Sequence, residues 1–280
     1  MWRQVWRMTL ATEVGEDDFL SPVTASLVYF SVVMGFGYVT RILNNVFTPQ
    51  PIRDYVADFL ATMEMCAYFF ENNFIFAHYG SLWLFLAVVV ECFIANRTYL
   101  GASENPVKAF YQLCNREISP AIAILKILNQ TLAGIASYRF AKLVWSIDLV
   151  SEHRGRFYET ECASDLNVAL LAGMAVEFGA TLIDTWLGMQ TISKQSVVDE
   201  ILKLCNGSLM IVLGINLTGM YFNPAMATGH TFGCKGTAAW EHFIVYWIGP
   251  FIGCYLAIIF DRLLHIDVTA RAEAEDKKKK

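Results

Sequence analysis

The stretch Gly219-Met220-Tyr221-Phe222-Asn223-Pro224-Ala225 lies inside apolar sequence, yet it holds the two residue types best suited to starting a helix. Asparagine is a preferred N-cap because its side-chain oxygen takes an orphan backbone N–H. Proline is favoured at the next position, where no N–H is needed. Asn223-Pro224 therefore reads as a helix beginning at membrane depth. Such a start is tolerated only where the freed backbone groups face protein or a wet cavity. The pattern Gly-x-x-x-Asn-Pro occurs a second time, at Gly101-Ala102-Ser103-Glu104-Asn105-Pro106. Two half-membrane helices, each opened by Asn-Pro, form the core of a pore.

The rest of the chain has the composition such a core needs. Hydrophobic residues make up 55% and charged residues 17%, with a mean hydropathy of +0.41. That excludes disorder and an ordinary soluble domain and indicates a multi-spanning membrane protein. A net charge of −5 gives no reason to expect nucleic acid as a partner. Cysteines and histidines show no metal-ligand spacing, so no metal, cofactor or catalytic constellation is expected. Cys66, Cys92, Cys205 and Cys254 fall inside apolar runs and read as small core residues.

Acidic residues Glu13, Glu16, Asp17 and Asp18 directly precede the first apolar run, which argues against a cleavable signal peptide. Spans are expected at 21–43, about 55–76, 81–99, 119–141, 166–190, 201–217 and about 240–262. The half-helices run from Asn105 to about Asn115 and onward from Asn223. Ten helical residues rise about 15 Å, half of a roughly 30 Å hydrocarbon core, so two such helices end to end cross it.

An internal repeat ties these pieces together. Asp58-Phe59-Leu60-Ala61-Thr62 matches Glu177-Phe178-Gly179-Ala180-Thr181, Asn105-Pro106 matches Asn223-Pro224, and Gly134 matches Gly253, all at offsets of 118 or 119 residues. Each repeat holds three spans and one half-helix, so the second enters the membrane inverted. Inverted repeats place the functional site at the midplane between halves. The expected fold is an all-α membrane protein with an inverted repeat of six spans plus two half-helices and one extra N-terminal span. The expected boundaries are a tail and added span at 1–51, a channel domain at 52–263 (repeats about 52–143 and 166–263), and a basic tail at 264–280. Lys and Arg counts of 13 against 7 put the C-terminus in the cytosol. Cys162 and Cys234 then lie on the opposite side, where an oxidising lumen permits a bond between them; packing support of the second half-helix is the competing role for Cys234.

The two Asn-Pro sites, the Asp58 and Glu177 pentapeptides, Leu217-Thr218-Gly219 and Tyr246-Trp247-Ile248-Gly249-Pro250 together resemble the aquaporin (major intrinsic protein) family over residues 52 to about 263. Asn105-Pro106-Val107 departs from that family's usual Asn-Pro-Ala, while Asn223-Pro224-Ala225 keeps it. With Cys234 eleven residues after Asn223, this resembles the unorthodox superaquaporin branch.

The resemblance implies a passive membrane channel, a homotetramer among membrane lipid, and specific roles for residues. Asn105 and Asn223 would cap their half-helices and present amide donors to passing water or small neutral solutes such as glycerol or hydrogen peroxide. Asp58 and Glu177, expensive inside spans, would accept backbone N–H groups from the loops carrying the half-helices; a proton relay is the alternative. The family's filter positions fall on Phe85, Ile211, Met220 and Met226, an apolar ring without the usual Arg. By repeat symmetry Lys108 maps onto Met226 and would carry charge at the other mouth, or else extend its stem to the headgroup level or pair with Glu104 or Glu117. Glu64, Glu71 and Glu91 lack repeat partners and read as helix-end or interhelical groups. Lys277-Lys278-Lys279-Lys280 resembles a di-lysine signal for the endoplasmic reticulum, with a generic basic tail as the alternative. A secondary transporter built from broken helices, or a non-transporting organellar protein, remain as other classes.

Overall fold

The computed structural model describes residues 18 and 20–269. The acidic run up to Asp17 and the terminal lysines fall outside the described residues. Ten helices occur in order among those described: α1 (Pro22–Phe47), α2 (Gln50–Tyr79), α3 (Ser81–Thr98), α4 (Pro106–Cys114), α5 (Pro120–Trp145), α6 (Ser151–Tyr158), α7 (Leu170–Met189), α8 (Ser196–Thr218), α9 (Pro224–Thr231) and α10 (Ala239–Leu263).

Four of them begin on the same local signal, a polar cap followed by proline. Ser21 accepts from Thr24 N, Ser119 from Ile122 N, Asn105 from Val107 N, and Asn223 from both Ala225 N and Met226 N. The side-chain oxygen satisfies a donor that the first turn cannot, and proline sets the helical φ. Only Gly80 separates α2 from α3, and its φ of 77° makes that reversal feasible. In α10 the segment Ile244–Ile248 is π-helical, immediately before Gly249-Pro250. Proline removes one N–H and crowds the carbonyl four residues back, and the wider register accommodates both.

Helix pairing follows the repeat. α2 packs on α5 as α7 packs on α10, and α3 meets α8 between the halves. Each half-helix also packs on the third span of the opposite repeat, α9 on α5 and α4 on α10. Close approach at the first of these contacts requires glycine. A Cβ on Gly134 would collide with the Ala225 carbonyl, and one on Gly229 with the Gly134 carbonyl.

Among the described residues six helices are long and apolar enough to cross a membrane: α1, α3, α5, α7, α8 and α10. The chain is a multi-pass membrane protein. α2 is the longest of the described helices at 30 residues, and three of its four carboxylates turn inward. Asp58, Glu64 and Glu71 are 2%, 1% and 0% exposed, and each has a basic or imidazole partner: Lys126, Arg41 and His153. The extra helix α1 lies along α2 and presents Val39, Val46 and Phe47 outward.

Candidate functional site

Asn105 and Asn223 meet at the centre of the bundle, and each bridges to the opposite half. Asn105 Nδ2 donates to the Phe222 carbonyl at 3.2 Å, and Asn223 Nδ2 donates to the Glu104 carbonyl at 3.1 Å. Both side chains still cap their own helices through Oδ1. Each amide has two N–H groups and spends one on this bridge, which leaves one free to donate. The positive ends of α4 and α9 thus converge on one point. Pro106, Val107, Pro224 and Ala225 form the first turns behind the two caps and are buried.

The two loop carboxylates do unequal jobs. Glu177 Oε1 accepts from Thr218 Oγ1 at 2.6 Å and Tyr221 N at 3.1 Å, and Oε2 accepts from Phe222 N at 2.6 Å. These bonds hold Met220 and Phe222 at φ of 51° and 31°, conformations that non-glycine residues adopt at a cost. Among the described residues Asp58 accepts one backbone N–H, from Ser103 at 2.8 Å, and its other oxygen binds Lys126 Nζ at 2.6 Å.

A cavity of about 230 Å³ opens from the asparagine pair toward the face where α10 ends. Ile211 and Met226 line it, together with Val88 and Tyr221. Phe85 and Met220 are not part of that lining. Met220 packs against Ala180 and Met210 between α7 and α8, and Phe85 is half-buried on α3 with its carbonyl accepting from Ser208 Oγ. The ring of four is therefore gathered only by half. Lys108 lines the cavity and pairs with Glu104 at 2.6 Å, with Asp184 and Lys203 nearby in the same wall.

On the opposite face Cys162 and Cys234 form a disulfide. Backbone bonds flank it, Lys235 N to the Cys162 carbonyl and Ser164 N to the Lys235 carbonyl. The loop before α7 is thus fastened to the segment that follows α9. Asp165 in that loop accepts from Tyr221 Oη, and burial pushes its carboxyl above the usual range despite that bond. Asn72, Glu91, Asp184 and Lys203 are cavity residues that motif spacing does not reveal. Glu91 does bridge helices, as expected of it, but it also faces the cavity.

The model of the family described as Major intrinsic protein matches residues 45–260. Aquaporin-11 of the tardigrade Milnesium tardigradum is 25% identical over 238 residues, which covers 85% of this chain and 86% of that one. Aquaporin-11 of Homo sapiens is 25% identical over 82% of this chain and 85% of its own. Aquaporin-12 of Mus musculus is 30% identical over 63% and 61%. Among solved structures, the aquaglyceroporin from Plasmodium falciparum superposes with a TM-score of 0.57 at 15% identity, over 75% of this chain and 95% of that one.

Proposed function

The chain belongs to the major intrinsic protein family of membrane channels, and we propose that it passes water and small neutral solutes, glycerol and hydrogen peroxide among them. The reciprocal bonds at the head of a cavity, Asn105 to the Phe222 carbonyl and Asn223 to the Glu104 carbonyl, are the observation that carries this reading. Two half-helix starts with spare amide donors orient a passing solute and oppose cations by their positive potential. The channel occupies 52–263, with the helix in 1–51 added outside it and a tail at 264–280.

Selection falls to Ile211 and Met226, the two of the four filter positions that line the cavity. Their apolar walls tolerate the carbons of a polyol better than a fixed guanidinium does. Stopped-flow swelling of proteoliposomes is expected to give water flux with low activation energy and measurable glycerol flux. Met226→Arg is expected to lower glycerol flux several-fold more than water flux. Equal loss of both would remove Met226 from the filter. Lys108, beside Glu104, supplies charge at the other mouth, and in planar bilayers Lys108→Ala is expected to leak cations where Lys108→Arg does not.

The lysine run at 277–280 supports residence in the endoplasmic reticulum through retrieval from the cytosolic side. Changing Lys277 and Lys278 to Ser is expected to move the protein to the cell surface in imaging. An unchanged distribution would leave the run as a lipid-attracted tail.

A further inference from the structure

Asn72 on α2 and Glu91 on α3 meet in the cavity wall and are 2% and 5% exposed. Asn72 Nδ2 donates to Glu91 Oε2 at 2.7 Å. The two remaining oxygens, Asn72 Oδ1 and Glu91 Oε1, are buried and have no hydrogen-bond partner among the described residues. Leaving a buried polar atom unpaired is unfavourable enough that native proteins rarely do it. Two such atoms on hydrogen-bonded neighbours, in the wall of one cavity, point to a partner that arrives through the cavity.

Positive potential reaches that wall. The positive ends of α4 and α9 open on the same cavity, and Lys108 and Lys203 line it. An ionised carboxylate only accepts hydrogen bonds, so in that form Glu91 Oε1 and the Asn72 carbonyl offer two acceptors on neighbouring side chains. Phe69, Val88, Ile211 and Met226 line the same cavity with apolar groups. The spare amide donors of Asn105 and Asn223 complete a site with acceptors on one wall and donors on another.

We propose that Asn72 and Glu91 form the specificity-determining pair of this pore, binding neutral solutes that present neighbouring donors, such as polyols and urea-like amides. The assignment rests on the channel reading and deepens it. An apolar ring admits a polyol by tolerating its carbons, whereas an acceptor pair holds it by its hydroxyls.

Two variants test it in the full-length protein. Glu91→Gln keeps size and turns one acceptor into a donor, and Glu91→Asp keeps both acceptors but withdraws them by one methylene. Each is checked for a single size-exclusion peak, then reconstituted for stopped-flow measurement of water, glycerol and urea permeability. The ratio of glycerol to water permeability is expected to fall about five- to tenfold in Glu91→Gln, the worth of roughly one hydrogen bond. Urea should follow glycerol, and Glu91→Asp should fall between wild type and Glu91→Gln. A wild-type ratio in Glu91→Gln, or water and glycerol falling in proportion, overturns the assignment and leaves Glu91 as a fastener of α2 to α3. Wild-type protein that passes neither water nor glycerol overturns the channel reading and the assignment together, so the wild-type trace tells the two failures apart.

Discussion

Glu177→Ala is expected to abolish folded protein, while Asp58→Ala at the repeat-related position leaves a weakened but assembled bundle. Glu177 takes hydrogen bonds from Thr218 Oγ1 and from the backbone N–H groups of Tyr221 and Phe222. Alanine strands all three donors in a buried place at about 1–3 kcal/mol each. Together that approaches the 5–15 kcal/mol by which a typical domain is stable. It also releases Met220 and Phe222 from their positive φ, directly before the Asn223 cap. Asp58→Ala strands one backbone donor, Ser103 N, and one lysine, Lys126, whose side chain is 16% exposed and has a flexible stem. Its expected cost is about 2 kcal/mol. Size-exclusion yield and melting in detergent measure both, and the expectation fails if Asp58→Ala proves the more damaging of the two.

That asymmetry shows where repeat symmetry stops being a guide. The pentapeptides at Asp58 and Glu177 look equivalent, but the repeat partner of Thr218 is Leu100, which has no hydroxyl to donate. Lys126 in turn maps onto Val245, so the salt bridge exists in one half only. Caps and prolines are local signals. For that reason the half-helix starts and the long helices were legible to within a few residues. α6 was not legible, because its polar sequence is ordered from afar: His153 bonds to Glu71 at 3.0 Å and Ser151 N to Asp18 at 2.6 Å. Counting positions from Asn223 locates Met220 along the chain but not the direction of its side chain. With φ at 51° that side chain turns between α7 and α8, and Tyr221 and Phe222 take the place beside the cavity. Glu91 carried the signal of an intramembrane carboxylate. Lacking a repeat partner, it read as interhelical only, and that its second oxygen is left without a partner depends on tertiary contacts no spacing shows.

The added helix α1 provides the second large expected effect. Arg41 is 0% exposed, and its Nη1 contacts Glu64 Oε2 of α2 at 2.6 Å. Its Nε donates to the Thr98 carbonyl at 3.0 Å, and the guanidinium lies 4.8 Å from the centre of the Tyr99 ring. Tyr68 Oη donates to the same Glu64 carboxylate. Thr98 and Tyr99 immediately precede the loop that carries Asn105, so α1 is fastened to the approach of the first half-helix. Removing one partner of a buried pair costs about 3–5 kcal/mol, because the other charge stays behind. Replacing both by apolar or neutral groups of similar volume is often nearly neutral. Arg41→Met is therefore expected to melt far below wild type, and Arg41→Met with Glu64→Gln to recover most of the loss, with Tyr68 still bonded to the amide oxygen. Gly37→Val should behave like Arg41→Met, since a Cβ at that position would run into the Glu64 carboxylate. If Arg41→Met alone melts like wild type, α1 is a peripheral passenger on the channel and not part of its support.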